Sequence, residues 1–182
     1  MHATADVAAD AAVGEGTRVW NEAQVLPGAS LGPDCIVGKG AYVDRGVTVG
    51  ARVKIQNYAL VYRGAVVEDE VLLGPGCVLA NDMYPRAANP DGSPKTDADW
   101  TEKGVVVRKG ASIGARAVVL PGVDVGRYAM VAAGAVVTRP VPDHGLAVGA
   151  PARVVGRVCT CGRPIRDQPP HCPACEPAVG GP

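Results

Sequence analysis

A strict six-residue period limits the folds open to this chain more than any other feature of its sequence. From Val107 to Val137 every sixth residue is aliphatic, and glycine fills several positions between, such as Gly110 and Gly134. Four residues after each aliphatic position stands a small or β-branched residue, for example Ala111. A hexad period is typical of a parallel β-helix, in which short strands stack into a three-sided prism. It excludes an α-helix and a sandwich of variable hairpins, so the sequence predicts an all-β fold.

The same register runs back to the N-terminus without an exception. The aliphatic positions are Val7, Val13, Val19, Val25, Leu31, Val37, Val43, Val49, Ile55, Val61, Val67, Leu73, Leu79, Val107, Ile113, Val119, Val125, Val131 and Val137. With three hexads per coil, they predict a prism about 30 Å tall. Cys35 and Cys77 fall on the small inward position, so we expect both thiols in the core rather than at a catalytic centre.

The period is interrupted once, between Leu79 and Val107. The intervening segment is rich in proline, asparagine, aspartate and glycine, which predicts a loop excursion over residues 81–104. A long loop without secondary structure of its own suggests a function, although a tolerated surface insertion is the alternative. Polar groups cluster at the start of the segment, at Asn81, Asp82, Tyr84 and Arg86. The interruption is therefore the first place to look for a site.

Four cysteines lie close together near the C-terminus. Cys159, Cys161, Cys172 and Cys175 form two pairs separated by ten residues, which predicts a zinc-ribbon-like segment over residues 158–176. Such a zinc would be structural, because four protein ligands leave no open position. His171 as a competing ligand and disulfides as an alternative both stay open. We expect the tail, residues 177–182, to be disordered.

Charge and hydropathy exclude two classes of partner. The formal net charge is zero, which gives no indication of a broad basic surface for nucleic acid. No apolar run is long enough to span a bilayer. Residues 2–12 carry acidic side chains and no continuous apolar run, so we expect no signal peptide and a soluble, cytoplasmic protein.

The uninterrupted hexads of residues 7–157 resemble those of the left-handed β-helix acyltransferases. Within that group, the chain is similar to the nucleotide-sugar N-acetyltransferases at four stretches: NDMYPR at 81–86, WT at 100–101, KGASIG at 109–114 and GAPAR at 149–153. The resemblance implies a left-handed coil over residues 1–157, a homotrimer, and acetyl-CoA as the donor. It also implies acetylation of the 3-amino group of a UDP-linked aminoglucuronate or a dTDP-linked amino-deoxyhexose.

The same resemblance implies roles for residues on the acceptor side. An asparagine at the position of Asn81 orients the sugar, and Asp82 is the nearby carboxylate that can accept a proton. Arg86 pairs with the diphosphate or with a sugar carboxylate. The further candidates for sugar or base contacts are Asn57, Tyr62 and Tyr84.

On the donor side, the resemblance implies a pantetheine groove between neighbouring subunits, along the C-terminal coils. Backbone groups around Ala115 and Ala133 would line it. Arg139 follows the last hexad and would meet the CoA phosphates, a suitable role for a guanidinium. Pro151 and Arg153 would lie near the adenine.

The histidines favour an amine over a hydroxyl acceptor. A hydroxyl needs a base to attack a thioester, whereas a neutral amine attacks unaided and the departing CoA sulfur can take a proton. The chain has only His2, His144 and His171, none of them in the excursion or the repeats. This disfavours a serine or galactoside O-acetyltransferase and a γ-type carbonic anhydrase. An O-acetyltransferase of a small alcohol or antibiotic and a non-catalytic scaffold stay open as alternatives.

Overall fold

A computed structural model describes residues 1–165, 172, 174 and 175 and contains almost exclusively β-structure. The strands before the excursion are β1 (Asp6–Val7), β2 (Ala12–Val13), β3 (Arg18–Val19), β4 (Gln24–Val25), β5 (Ser30–Leu31), β6 (Ile36–Val37), β7 (Tyr42–Val43), β8 (Thr48–Val49), β9 (Lys54–Ile55), β10 (Leu60–Val61), β11 (Val66–Val67), β12 (Leu72–Leu73) and β13 (Val78–Leu79). Those after it are β14 (Val106–Val107), β15 (Ser112–Ile113), β16 (Val118–Val119), β17 (Asp124–Val125), β18 (Met130–Val131), β19 (Val136–Val137), β20 (Gly145–Val148), β21 (Arg153–Val158) and β22 (Pro164–Ile165). The second residue of each strand from β1 to β19 is one of the predicted aliphatic positions, which confirms the hexad register.

The strands stack into three parallel sheets, one for each side of a prism. The first sheet runs in the order β1-β4-β7-β10-β13-β16-β19, and the second in the order β17-β14-β11-β8-β5-β2. The third begins with β3-β6-β9-β12-β15-β18 and continues into β20, β21 and β22. Paired residues such as Leu60 and Val78 are 18 apart, so one coil takes three hexads. The predicted β-solenoid is confirmed, and it has the architecture of the left-handed β-helices of this repeat type.

The core is a single column of aliphatic side chains inside the prism. From Val19 onward, every residue of the hexad series is buried, and so are the small residues four places later, with Cys35 and Cys77 among them. Burial raises the pKa of the Cys77 thiol to about 12 and raises that of Cys35 as well. Neither thiol has the exposure or the lowered pKa that a nucleophile needs, so the prediction that both are core residues is confirmed.

The excursion leaves the prism between β13 and β14. Val78 pairs with Val118, 40 residues further along the chain, so the excursion adds 22 residues to one coil without disturbing the register. It is not a structureless loop. A 3₁₀-helix, Asp97–Asp99, is capped by Thr96, and isolated bridges join Asp82 to Glu102 and Ala88 to Pro94.

The last strands complete one more turn of the prism and then widen the third sheet. β20 pairs with β18 in parallel, and then β21 and β22 turn back as antiparallel strands. Among the residues that the structure describes, no helix is long and apolar enough to cross a membrane.

Candidate active site

Asn81 stands at the point where the excursion departs from the prism. It lies two residues after the end of β13, its side chain is half-buried, and its Nδ2 donates to the backbone carbonyl of Arg63 at 3.2 Å. The carbonyl of Asn81 accepts from the backbone N–H of Lys103 at 3.2 Å. Both ends of the excursion are therefore joined at this residue.

The guanidinium of Arg63 connects the prism to the far part of the excursion. Its Nε lies 2.6 Å from Glu102 Oε2, and its Nη1 lies 3.4 Å from Asp97 Oδ2. The group also stacks over the ring of Trp100, with 5.0 Å from Cζ to the ring centroid. An ion pair and a cation–π contact at one side chain anchor the excursion against the prism corner.

A pocket of about 500 Å³ opens on the excursion. Its lining residues are Asp82, Met83, Tyr84, Lys95, Ala98, Asp99, Trp100, Thr101 and Lys103. Asn81 directly precedes Asp82 in the sequence but does not line the pocket. The pocket combines an aromatic side, two carboxylates and two ammonium groups, which suits a polar ligand that also carries a ring.

The charges of this pocket are not equally available. Asp82 Oδ1 accepts from the backbone N–H of Tyr84 at 2.9 Å. Asp99 Oδ2 accepts from the backbone N–H and the hydroxyl of Thr96, which lowers the pKa of Asp99. Within residues 1–165, neither Lys95 nor Lys103 forms an ion pair with a carboxylate. Both carboxylates stay charged, so the charges of the lining balance, and the ammonium groups of Lys95 and Lys103 are the donors that an anionic ligand group would need.

The structure separates the predicted acceptor-side residues into different places. Tyr84 lines the pocket and is 80% exposed, beside Asp82. Arg86 does not line it, and its Nη1 donates to the carbonyl of Pro85. Tyr62 packs against Tyr42, with ring centroids 5.7 Å apart. Lys95 and Lys103 were missed by the sequence analysis, because no period or short motif marks them.

Asn57 belongs to a different edge of the prism. Its Oδ1 accepts from the backbone N–H of Lys39 at 3.0 Å, and it borders a second pocket of about 350 Å³ beside Trp20. That edge is the turn from the third sheet to the first, whereas the excursion leaves the turn from the first sheet to the second. Asn57 and the excursion therefore do not share a pocket in one chain.

The predicted donor-side residues fall into two groups. Arg139 and Arg153 line one small pocket, of about 130 Å³, between β19 and the β20–β21 turn, and Pro151 lies in that turn. Ala115 and Ala133 stack in successive coils on the edge that also carries Asn57, and Ala115 O accepts from the N–H of the residue after Ala133. A side chain on the glycine before Ala115 would overlap the backbone of Ala133. Close coil stacking thus imposes the glycine, whereas the position of Ala115 and Ala133 holds Lys39 and Asn57 in earlier coils.

The four C-terminal cysteines converge on one point. Their Sγ atoms all lie within 4.8 Å of one another, with 3.6 Å between Cys161 and Cys172 and 3.7 Å between Cys172 and Cys175. Zinc–sulfur bonds of about 2.3 Å in a tetrahedron require sulfurs about 3.8 Å apart, so the set fits zinc. No S–S bond joins any of the six cysteines. His171, the competing ligand, and the tail 177–182 lie outside the described residues.

Backbone amides prepare one of these thiols for a metal. The N–H groups of Cys161 and Cys172 point at the Cys159 sulfur and hold the pKa of that thiol at about 5. Backbone N–H groups that point at a sulfur favour its thiolate form, which is the form that ligates zinc. The cluster follows directly on β21, so it lies against the widened third sheet.

Comparisons with known proteins agree with the β-helix fold, and acetyltransferases are among the similar proteins. Two family models match: a bacterial transferase hexapeptide of six repeats over residues 104–139, and a hexapeptide repeat of succinyl-transferase over residues 28–63. A dTDP-3-amino-3,6-dideoxy-α-D-galactopyranose 3-N-acetyltransferase from Aneurinibacillus thermoaerophilus is 59% identical over 56 residues, which are 31% of this chain and 29% of that protein. A serine acetyltransferase from Salmonella typhimurium is 34% identical over 119 residues, 64% of this chain and 42% of that protein.

A solved structure with a related sequence contains both CoA and a nucleotide-linked sugar. PerB from Caulobacter crescentus, in complex with CoA and GDP-perosamine, superposes with a TM-score of 0.53 at 29% identity and covers 86% of this chain and 56% of its own. The chain spans less than half the length of the two curated relatives named above.

Proposed function

We propose that the chain is an N-acetyltransferase of the hexapeptide-repeat transferases, since two models of such repeats match parts of it. It moves acetyl from acetyl-CoA to the amino group of a 3-amino sugar linked to UDP or dTDP. The observation that carries the proposal is the excursion pocket, where Trp100 lies beside Lys95 and Lys103, two ammonium groups that form no ion pair within residues 1–165. Two ammonium groups suit the diphosphate of a nucleotide sugar, and an aromatic wall suits a ring.

The proposed step needs little acid–base chemistry from the protein. The neutral amine attacks the thioester carbon, a C–N bond forms, the C–S bond breaks, and the CoA sulfur or Asp82 takes the proton. Asn81 orients the amine. Its Nδ2 is engaged by Arg63, so its Oδ1 is the atom that accepts from the amine N–H. Placement of the nucleophile is the protein's main contribution to the rate.

The donor would lie at the C-terminal coils. Arg139 and Arg153 line one pocket, and two guanidinium groups suit the phosphates of CoA. Ala115 and Ala133 allow the pantetheine arm to approach the backbone closely. Because acetyl-CoA is a cytoplasmic metabolite, the proposal also places the protein in the cytoplasm.

A homotrimer is part of the proposal, because the donor edge and the excursion lie on opposite sides of the first sheet. Outward side chains on that sheet form an apolar stripe across five stacked strands: Tyr42, Leu60, Val78, Val118 and Val136. The corresponding positions of the other sheets are mixed, with Thr48, Asp124 and Lys54 as well as Val66, Leu72 and Met130. Contact through the stripe would bring the excursion of one chain to the donor edge of the next. Light scattering should then give three times the 18.5 kDa chain mass, and a stable, fully active monomer would contradict the trimer.

We also propose that the cysteine cluster holds a structural zinc. Cys159, Cys161, Cys172 and Cys175 would be its four ligands, and the metal would tie the segment after β21 into one unit. With four protein thiolates no position is left for substrate, so the zinc takes no part in acetyl transfer.

Serine O-acetylation is the second candidate, favoured by the similarity to serine acetyltransferases. The positions of the histidines argue against it. His2 hydrogen-bonds Thr4 near the N-terminus, and His144 stacks on Tyr128 with its Nδ1 3.0 Å from the carbonyl of Val158. Neither is near the excursion in sequence, and neither lines its pocket.

The test is release of CoA thiol from acetyl-CoA in the presence of a panel of acceptors. It contains UDP- and dTDP-linked 3-amino sugars, the same nucleotide sugars with a hydroxyl in place of the amine, and L-serine. We expect thiol release only with an amino sugar. Turnover of L-serine or of a hydroxyl sugar, with none of any amine, would overturn the proposal, and no turnover of any acceptor would favour the non-catalytic scaffold.

A further inference from the structure

We infer that Arg63 is a positioning residue, which holds Asn81 and the excursion pocket in the geometry that acetyl transfer requires. The inference rests on the proposed function for its kinetic consequence, but its structural basis is independent of any substrate. Arg63 joins three parts of the molecule that are distant in sequence: the coil below it, the first residue of the excursion, and the segment from Asp97 to Glu102.

The backbone of Arg63 is fixed from the prism side. Its N–H donates to Oδ2 of Asp44 at 3.1 Å, and the other oxygen of Asp44 accepts from Tyr42 Oη and from the N–H of Arg45. Asp44 is only 9% exposed. A nearly buried carboxylate with three hydrogen bonds is a rigid support. The carbonyl of Arg63, which receives the amide of Asn81, therefore has a defined position.

The side chain of Arg63 fixes the opposite end of the excursion. Glu102 and Asp97 pair with the guanidinium, and Trp100 lies under its plane. Only arginine offers a planar fork for two carboxylates together with a face for stacking. The chain then returns to the prism beside Arg63, where a side chain on Gly104 would overlap the carbonyl oxygen of Gly64.

The same contacts determine the charge that a substrate meets. Arg63 offsets one of the two negative charges of Glu102 and Asp97, which reduces their opposition to the positive charges of Lys95 and Lys103. Removing the guanidinium would leave two unpaired carboxylates on the excursion and would also release Trp100 from its cation. We therefore expect loss of Arg63 to weaken binding of the anionic acceptor and to displace Asn81, while the donor pocket at Arg139 stays unchanged.

The experiment compares Arg63→Gln and Arg63→Lys with a matched control, Arg52→Gln. Arg52 forms an ion pair with Glu70 at 2.6 Å on the surface of the prism and has no ion pair or hydrogen bond with the excursion. All variants are made in a Trp20→Phe background, so that fluorescence reports Trp100 alone. Acrylamide quenching measures the exposure of Trp100, and limited proteolysis measures opening of the excursion.

Arg63→Gln should raise Trp100 quenching and the rate of cleavage within residues 81–104, and Arg52→Gln should change neither. In kinetics, Arg63→Gln should raise KM for the amino sugar and lower kcat, each by roughly 10-fold or more, with KM for acetyl-CoA unchanged. Arg63→Lys keeps the positive charge, so its KM for the sugar should lie between those of Arg63→Gln and the unmodified protein. Its Trp100 should be quenched by acrylamide as strongly as in Arg63→Gln.

Two results would overturn the inference. One is Arg63→Gln matching Arg52→Gln in quenching and proteolysis. The other is equal loss of affinity for acetyl-CoA and sugar, which would indicate a general loss of structure. If the unmodified protein acetylates no amino sugar, the proposed function fails, whereas quenching and proteolysis still decide whether Arg63 holds the excursion.

Discussion

The side-chain amide of Asn81 donates to the backbone carbonyl of Arg63 at 3.2 Å, from one coil of the prism to the next. This bond assigns the two atoms of the amide, because the nitrogen is engaged and the oxygen is left for a ligand. Asn81→Ala should therefore leave folding and acetyl-CoA binding intact. It should lower kcat/KM for the amino sugar by roughly 10–1000-fold, about 1.4–4 kcal/mol of transition-state stabilisation. Steady-state kinetics with circular dichroism as a folding control measures this, and near-unchanged turnover would place the active site elsewhere.

Asp82 requires a different substitution, because its carboxylate also has a structural role. Its Oδ1 accepts from the N–H of Tyr84, and asparagine can keep that bond while it removes the charge. If the CoA sulfur takes the proton, Asp82→Asn should cost less than about 10-fold in kcat/KM and leave the pH profile unchanged. A larger loss, with the acidic limb of the profile removed, would make Asp82 the base.

The repeats could be predicted in full from sequence, because the inward-pointing side chain of each hexad is an aliphatic residue at a fixed position of the period. From Val19 to Val137 the whole aliphatic series is buried as expected. The fold of the excursion could not be predicted in this way. It depends on contacts such as Arg63 with Glu102 and Trp100, which join residues far apart in sequence and follow no period. For the same reason Asp82 and Tyr84 could be located from the sequence, whereas Lys95 and Lys103 could not.

The cysteine cluster leads to a prediction about metal content. Purified protein prepared under reducing, chelator-free conditions should contain about one zinc per chain, and Cys172→Ser should lose it. The prism should stay folded, because its core does not include the cluster. Cys77→Ala is the matched control, since it removes a buried thiol from the core and should keep the metal. Elemental analysis that finds no zinc in the unmodified protein would exclude the site.

An ion-pair network on the second sheet predicts a dependence of stability on pH. The backbone N–H of Lys109 and then the guanidinium of Arg108 lower the pKa of Glu68 below its usual 4.5. A lowered pKa in the folded state means that the carboxylate stabilises the fold above pH 4.5, and that this stability is lost as the pH falls through the folded pKa. At pH 7, Glu68→Gln should destabilise by about 0.5–1 kcal/mol. Thermal unfolding should show this gap closing as the pH falls below 4.5, and a constant gap would contradict the assignment.

The corners of the prism give a prediction about backbone strain. The third residue after most of the aliphatic positions lies in the left-handed region, and glycine is not always there. Arg116, with φ +55°, and Gly134, with φ +68°, occupy this corner in successive coils. A non-glycine residue in this region costs about 1–2 kcal/mol, which exceeds the roughly 1 kcal/mol of extra chain entropy that glycine loses on folding. Arg116→Gly should therefore stabilise the protein by about 0.5 kcal/mol. Gly134→Ala, with no atom within 4 Å of the new Cβ, should destabilise it through the backbone alone. Denaturant unfolding of both variants measures the pair, and a loss of stability in Arg116→Gly would mean that its side chain makes a contact worth more than the strain.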